Sequence, residues 1–312
     1  MRQRFVDILN RKKQRNGVVP SVLLWIGAVV LLSACTSVNG QSSAFKPGTV
    51  YSVGFNGNQF ISYDAGNSYS IDQEGNISIS YKNGAVTAKA PVQLDVTGKV
   101  MGMGKEETGL YISEDKTAIV YGFANGASEP LHVLITDDKG DTWNDYEIKG
   151  AKGFETKFIG FATDKEGWIV SGASNGLGSA LNYVYQTSDG GKTWVEIGNA
   201  NEVYSEHLTA AGFYNQDIGF LGFRYYMDYG PVIYWTKDQG KSWERLTVTL
   251  PDKFDEYRMN PLSPIFNGKE GLFPIAVRDQ ELNDIGTINL ISKDGGLTWV
   301  YDETYDKLEG YK

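Results

Sequence analysis

Four copies of one octapeptide, Ser/Thr-x-Asp-x-Gly-x-Thr/Ser-Trp, constrain the fold of this chain more than any other feature. The first two are Thr136-x-Asp138-x-Gly140-x-Thr142-Trp143 and Thr187-x-Asp189-x-Gly191-x-Thr193-Trp194. The other two are Thr236-x-Asp238-x-Gly240-x-Ser242-Trp243 and Ser292-x-Asp294-x-Gly296-x-Thr298-Trp299. Their aspartates are evenly spaced along the chain, and four of the six tryptophans beyond residue 34 close a copy. A period this regular means a repeated supersecondary unit.

The pattern is the grammar of a tight turn between two strands. An Asp carboxylate accepts hydrogen bonds from backbone N–H groups that follow it, as in an Asx-type turn. The Gly supplies a positive φ without a Cβ clash. The Thr or Ser hydroxyls satisfy further turn groups, and Trp opens the outgoing strand with a large apolar face. The runs ahead of the copies, 131–135, 183–185, 232–235 and 288–291, are β-branched and aromatic, which suits incoming strands.

A second signal keeps register with the first. At a nearly constant distance ahead of each aspartate stands a small residue followed by an apolar one: Ala118-Ile119, Gly167-Trp168, Gly219-Phe220 and Gly271-Leu272. Each follows a short polar turn, and an apolar segment precedes each turn (110–112, 158–161, 210–213 and 265–266). Every unit therefore reads as four short strands, a to d, with the octapeptide between c and d. Such units are the blades of a β-propeller.

In these motifs residues 107–302 resemble the Asp-box, or BNR repeat, family of β-propellers. That family includes sialidases, other glycosidases, sorting-receptor ectodomains and assembly factors of photosystem II. The resemblance implies an all-β fold of four-stranded antiparallel blades. Upstream, Ser62-x-Asp64-x-Gly66-x-Ser68-Tyr69 matches a fifth copy with Tyr in the Trp position, and its distance to Asp138 is too long for one blade. Residues 72–106 read as a degenerate blade or a hairpin insertion, with strand-like runs at 77–81, 85–88 and 92–96. Six blades are favoured, with five or seven as the alternatives. The resemblance also implies a structural role for Asp64, Asp138, Asp189, Asp238 and Asp294 and for Trp143, Trp194, Trp243 and Trp299, on the rim away from the ligand funnel.

The segment 1–34 differs in kind. Six basic residues (Arg2, Arg4, Arg11, Lys12, Lys13 and Arg15) precede the apolar run 18–32, which reads as a secretory signal. Leu32-Ser33-Ala34-Cys35 resembles the lipobox of bacterial lipoproteins, and Cys35 is the one cysteine of the chain. That resemblance implies cleavage before Cys35, acylation of its sulfur, and attachment to a bacterial membrane outside the cytoplasm. An uncleaved anchor is the alternative. Residues 35–46 then form a lipidated, flexible tether, 47–302 one propeller domain, and 303–312 a C-terminal tail. A single cysteine leaves no disulfide to stabilise the fold. Removing the six basic residues and Asp7 leaves 23 basic and 37 acidic side chains, which argues against a nucleic-acid partner.

Ligands of propellers meet the d-to-a and b-to-c loops. Only four arginines follow Cys35, and Arg224, Arg258 and Arg278 all fall on such loops, at 224–230, 252–264 and 278–286. Arg245 follows a turn Trp and belongs at the periphery. Tyr225, Tyr226, Tyr229 and Tyr257 accompany the first two. Guanidinium forks bind carboxylates, and aromatic faces stack on sugars or cations, so these seven residues are the candidate ligand-binding set. The alternative pairs the arginines with their sequence neighbours Asp228, Asp255, Glu256, Asp279 and Glu281.

The sialidase resemblance would imply three arginines on a substrate carboxylate with a Tyr nucleophile. This chain lacks the Phe/Tyr-Arg-Ile-Pro motif and any arginine between Cys35 and Phe223, so no catalytic residue carries over. Other glycosidases need only two carboxylates roughly 5–10 Å apart, for which Glu202, Glu206, Asp228, Asp255, Glu256 and Glu281 are candidates. His132 reads as a core residue of a c strand and His207 as an edge residue. Two scattered histidines and one acylated cysteine imply no metal site, and no cofactor motif is present. The function expected is a non-catalytic binding or assembly scaffold for a protein or glycan partner. A sialidase-like or other glycoside hydrolase acting on surface glycans is the alternative.

Overall fold

A β-branched, aromatic-rich chain punctuated by frequent turns has to bury its strands sheet against sheet, and the computed structural model shows how. It describes residues 49–53, 66–94, 108–122, 130–153, 155–176, 179–202, 204–225 and 230–308. The leader, Cys35, the tether, Asp64, Tyr226, Asp228 and Tyr229 lie outside the described residues.

Strand β1 (Thr49–Val53) is followed by β2 (Ser68–Ile71), β3 (Asn76–Tyr81) and β4 (Val86–Gln93). The last three form an antiparallel sheet of their own. The runs expected at 85–88 and 92–96 are one edge strand, β4, in which Pro91 is tolerated because no partner needs its missing N–H. Blade I contains β5 (Thr108–Ile112), β6 (Thr117–Tyr121), β7 (Leu131–Thr136) and β8 (Asn144–Ile148), with β1 paired to β5. Blade II contains β9 (Thr156–Phe161), β10 (Gly167–Ser174), β11 (Ala180–Thr187) and β12 (Val195–Glu196). Blade III contains β13 (Leu208–Phe213), β14 (Gly219–Phe223), β15 (Val232–Thr236) and β16 (Glu244–Arg245).

Blade IV departs from the simple pattern. Its inner strand is split into β17 (Arg258–Pro261) and β18 (Ile265–Asn267), both paired to β19 (Glu270–Arg278). β20 (Asp284–Ser292) carries β21 (Val300–Tyr301) and β22 (Lys307–Leu308) on its outer edge. The expected loop 252–264 thus contains a strand, and the expected tail holds a 3-10 turn (Glu303–Tyr305) and then adds Lys307–Leu308 to the sheet. The split has a tertiary cause. Ser263 Oγ accepts a bond from Ala211 N of β13 at 3.3 Å, and Pro264 packs where a side chain on Gly212 would stand.

Consecutive sheets share cores. One cluster joins Ile77, Ile79 and Tyr81 to Leu110, Ile119 and Leu134 of blade I. Others join Val133 and Ile135 to Phe161 and Ile169, Trp168 and Val184 to Phe213 and Leu221, and Phe220 and Ile233 to Phe273 and Ile288. Successive antiparallel blades packed face to face, with β5, β9, β13 and β17 adjoining, make this a β-propeller. His132 corrects an expectation: it is part-exposed, with Nδ1 3.2 Å from Asp145 Oδ1, because strand register sets it beside the polar Asp145 and Glu147 of β8.

The octapeptides explain the packing. In all four, the first hydroxyl donates to Asp Oδ1 at 2.7–2.8 Å and accepts the Gly N–H at 2.8–3.0 Å. The residue four beyond the Asp donates its N–H to Oδ1 at 2.9–3.0 Å and its hydroxyl to Oδ2 at 2.6–2.7 Å. The backbone between is left-handed at two successive residues: Lys139-Gly140, Gly190-Gly191, Gln239-Gly240 and Gly295-Gly296. This turn presses against the preceding sheet. A Cβ on Gly296 would lie 2.6 Å from Phe220 Cζ of blade III, and Trp299 meets the same ring edge-on at 5.5 Å. Trp143, Trp194 and Trp243 likewise pack into the core shared with the sheet before their own.

Gly296→Ala should therefore cost about 1–3 kcal/mol, because it adds both a positive-φ penalty and an overpacked methyl. Urea denaturation would measure it; an unchanged midpoint would contradict this role for the turn.

The aspartates also carry a pH signature. Hydroxyl donation from Thr136 leads the stabilisation of the Asp138 carboxylate, with Thr142 adding to it, and holds its pKa at about 2. At Asp189 burial opposes ionisation, yet bonds from Thr193 and Thr187 outweigh it, again giving about 2. Asp238 and Asp294 are lowered too, led by the Ser242 and Thr298 hydroxyls. A folded pKa below the unfolded one stabilises the fold at higher pH, and that contribution fades as pH falls through the folded value. The melting temperature should be flat near neutrality and drop steeply between about pH 4 and pH 2. A melting curve that does not change across that window would argue against these bonds.

Candidate functional site

The blade ends opposite the octapeptides carry the d-to-a and b-to-c connections, and the sequence's arginines gather there. Arg224 follows β14 and extends its pairing, with N donating to His207 O at 2.9 Å. Its guanidinium lies 3.7 Å from Glu206 Oε2. Tyr225 comes next, its N–H directed at Asn260 Oδ1 of β17 (3.4 Å). The Tyr225 hydroxyl accepts from Arg258 Nη1 at 2.9 Å, and the Arg258 guanidinium carbon stands 5.1 Å from the Tyr225 ring centroid.

Arg258 opens β17 and is register-paired with Arg278, the last residue of β19. Directly opposed residues sit with Cβ atoms about 4.5–5.5 Å apart, so two like charges share one spot at a cost. Arg278 offsets its half of that cost by donating from Nε to Asp284 Oδ1 at 2.7 Å across the β19–β20 pair. Arg258 does not: among the described residues no carboxylate lies within ion-pair distance of it. Tyr225, Arg258, Arg278 and Asp284 thus form a row across three strands. The row offers a part-buried guanidinium, fixed by a phenol and open to an anion.

Among the described residues, the partners of Arg224, Arg258 and Arg278 are Glu206, Tyr225 and Asp284, and not the sequence neighbours Asp255, Glu256, Asp279 or Glu281. Asp279 is occupied within its own loop, accepting from Glu281 N, Asn283 N and Asn283 Nδ2. Asp255, Glu256 and Glu281 are exposed. Tyr257 packs against the blade IV core, its ring 6.4 Å from Phe254, and takes no part in the row. Tyr226 and Tyr229 lie outside the described residues. Glu206 and Asp284 are the partners that sequence reading missed. Both follow from strand register, and the alternation of half-buried Arg258 and Asn260 with buried Met259 and Pro261 was the available signal for β17.

Beside Arg224, the sheet junction between blades II and III is polar. Asn182 Nδ2 donates to Glu206 O at 3.1 Å. Asn182 Oδ1, Glu206 Oε2 and Thr209 Oγ1 are buried without a hydrogen-bond partner, and Thr209 stands where β13 slips register against β14. Of the other glycosidase candidates, Glu202 accepts from Asn199 Nδ2 at 3.1 Å. Among the described residues no group of three or more His, Cys, Asp or Glu side chains could hold a metal. A shallow crevice lined by Trp168, Gln186, Phe213 and Gln216 lies at the octapeptide end, away from the arginines, and is too narrow to admit a water molecule.

No protein-family model matches the chain, and no curated protein is similar to it. Solved structures with a related fold include the GH74 enzyme of Niastella koreensis, with 12% identity and a TM-score of 0.36 over 76% of this chain and 44% of that one. This chain therefore spans under half the length of that enzyme. A YCF48 chain bound to D1 peptide gives 14% identity and a TM-score of 0.34, over 77% of this chain and 79% of that one. YCF48 from Cyanidioschyzon merolae gives 11% and 0.31, over 80% and 85%. At these scores the propeller assignment rests on the chain's own sheet order and packing.

Proposed function

We propose that this chain is a non-catalytic binding scaffold. It is a propeller of the Asp-box kind, held outside the cytoplasm on a bacterial membrane by lipid on Cys35. It presents the ends of blades III and IV to a carboxylate-bearing protein or glycan partner. Arg258 carries the reading. A guanidinium that is register-paired with a second arginine and has no carboxylate partner among the described residues is stabilised when a ligand anion joins it. The hydrolase reading draws on Glu206, whose Oε2 is buried without a hydrogen-bond partner. Its guanidinium neighbour at 3.7 Å makes it a partner of Arg224 before it is an acid or a base.

Binding of the purified protein to acidic glycans and to acidic peptides on an array tests the proposal. Arg258→Gln should weaken capture at least tenfold, about 1.4 kcal/mol. Asp284→Asn should strengthen it by freeing Arg278, with little change in stability, because exposed pairs contribute only about 0–1 kcal/mol. Aryl glycosides, a fluorogenic sialoside included, should stay intact. Turnover of any of them, or capture indifferent to Arg258, would refute the scaffold reading.

The anchor is tested separately. Cys35→Ser should move the protein from the membrane fraction to the soluble fraction or the medium, and continued membrane retention would favour an uncleaved span.

A further inference from the structure

Two loops of this chain are built from the same five-residue pattern, Asp-Gln-Glu-x-Asn, at 72–76 and 279–283. Their bonds match. In the first, Asp72 Oδ1 accepts from Glu74 N and Asn76 N, and Oδ2 from Asn76 Nδ2, all at 2.9 Å. In the second, Asp279 Oδ1 accepts from Glu281 N at 2.9 Å and Asn283 N at 2.8 Å, and Oδ2 from Asn283 Nδ2 at 2.8 Å. In both, the fourth residue donates its N–H to the Asp carbonyl at 3.1 Å. That fourth position is left-handed in each: φ is +88° at Gly75 and +71° at Leu282.

Glycine meets that demand without strain, whereas a branched apolar residue does not. Gly75 has a further reason to lack a side chain, because Leu94 O occupies the place a Cβ would take. The second loop has room for a side chain, but room does not remove the backbone cost. The other left-handed residues with side chains among those described are Lys82, Asn83, Lys139 and Gln239, all polar. Leu282 is the apolar exception, and its side chain recovers little from packing in its own fold, since the residue is 50% exposed. It crowns the hairpin closed by Arg278 and Asp284, next to the arginine row.

The geometry points to Leu282 as an apolar contact residue for a peptide segment of a protein partner, one that pairs a large apolar side chain with a nearby carboxylate. The apolar side chain meets Leu282 and the carboxylate meets Arg258. The inference rests on the scaffold reading and decides within it for protein over glycan, because an exposed aliphatic side chain gains most from burying another apolar side chain, which a sugar does not offer. Charge complementarity selects the rest of the segment: among the described residues, Arg258 is the cation of the row with no carboxylate partner.

Panning random heptapeptides displayed on phage against the full protein supplies the probe. Selected sequences should carry Asp or Glu within about two positions of a large apolar residue, and the best of them is then synthesised. Its affinity should fall at least tenfold on Leu282→Gly and on Arg258→Gln. Leu282→Gly restores the Gly75 form of the loop, so its melting temperature should rise by roughly 2–4 °C while binding is lost. A melting temperature that falls would show Leu282 serving its own fold and overturn the inference. Selected peptides that need Arg258 but ignore Leu282 would overturn it too and leave the scaffold reading standing. So would acidic glycans bound through Arg258 with no peptide selected. Peptides that ignore both residues would remove the inference and the anion-binding reading together.

Discussion

One carboxylate organises each repeat. The aspartate of the octapeptide gathers the hydroxyl two positions before it and both the amide and the hydroxyl four positions after it, at 2.6–3.0 Å. Those bonds hold two consecutive residues at positive φ, a backbone state that non-glycine residues such as Lys139 and Gln239 adopt only under compulsion. The consequence lies in packing. A turn bent this way brings its glycine flat against the preceding sheet and directs the tryptophan into the core that the two sheets share. In two copies the indole also donates back to the turn, Trp194 Nε1 to Gly191 O at 2.9 Å and Trp243 Nε1 to Gly240 O at 3.1 Å. The same device sets the turn, the strand register and the spacing between neighbouring blades.

The outer edges show what so compact a turn leaves behind. Three of the four d elements that follow the turns are only two residues long, so much of the outer edge of β11 and β15 lacks a ladder partner. Single bonds and side chains close the gap. Ile197 N, Leu246 N and Asp302 N donate to Val184 O, Ile233 O and Asn289 O. Asn201 imitates a strand with its amide, accepting from Asn182 N at 2.6 Å and donating to Asn182 O at 3.0 Å. An edge finished in this way resists pairing with another chain. It also releases the backbone early, and the freed segments coil into 3-10 turns at Ala200–Glu202, Asp252–Phe254 and Glu303–Tyr305. The first two deliver Glu206 and Arg258 to the candidate site.

The repeat was legible because it is local: turn chemistry, strand starts and the c–d connection all follow from residues within one octapeptide. The departures are tertiary. Residues 258–261 read as loop because Pro261 and Pro264 flank Leu262 and Ser263, yet the contact of Ser263 with Ala211 lets the chain rejoin β19 on both sides of the break. The arginine cluster was legible as composition, since Arg224, Arg258 and Arg278 follow a long stretch that holds no arginine at all. Its pairing was not, because Glu206 and Asp284 reach the guanidinium groups through strand register. Leu282 escaped notice because a loop leucine becomes unusual only when its φ is known.

The candidate site is an exception within its own electrostatic field, and that bears on how it would bind an anion. From Cys35 onward the chain carries 37 acidic and 23 basic side chains, so an anionic ligand is repelled at long range. That repulsion is screened beyond a Debye length of about 8 Å at physiological salt. The contact with Arg258 is screened less, since the residue is half-buried between Tyr225 and Arg278. Salt therefore acts on the two with opposite sign: it eases approach and weakens the final pair. A ligand held by charge alone would gain little from such a surface. Affinity must come from short-range contact, which an apolar side chain beside a fixed guanidinium supplies.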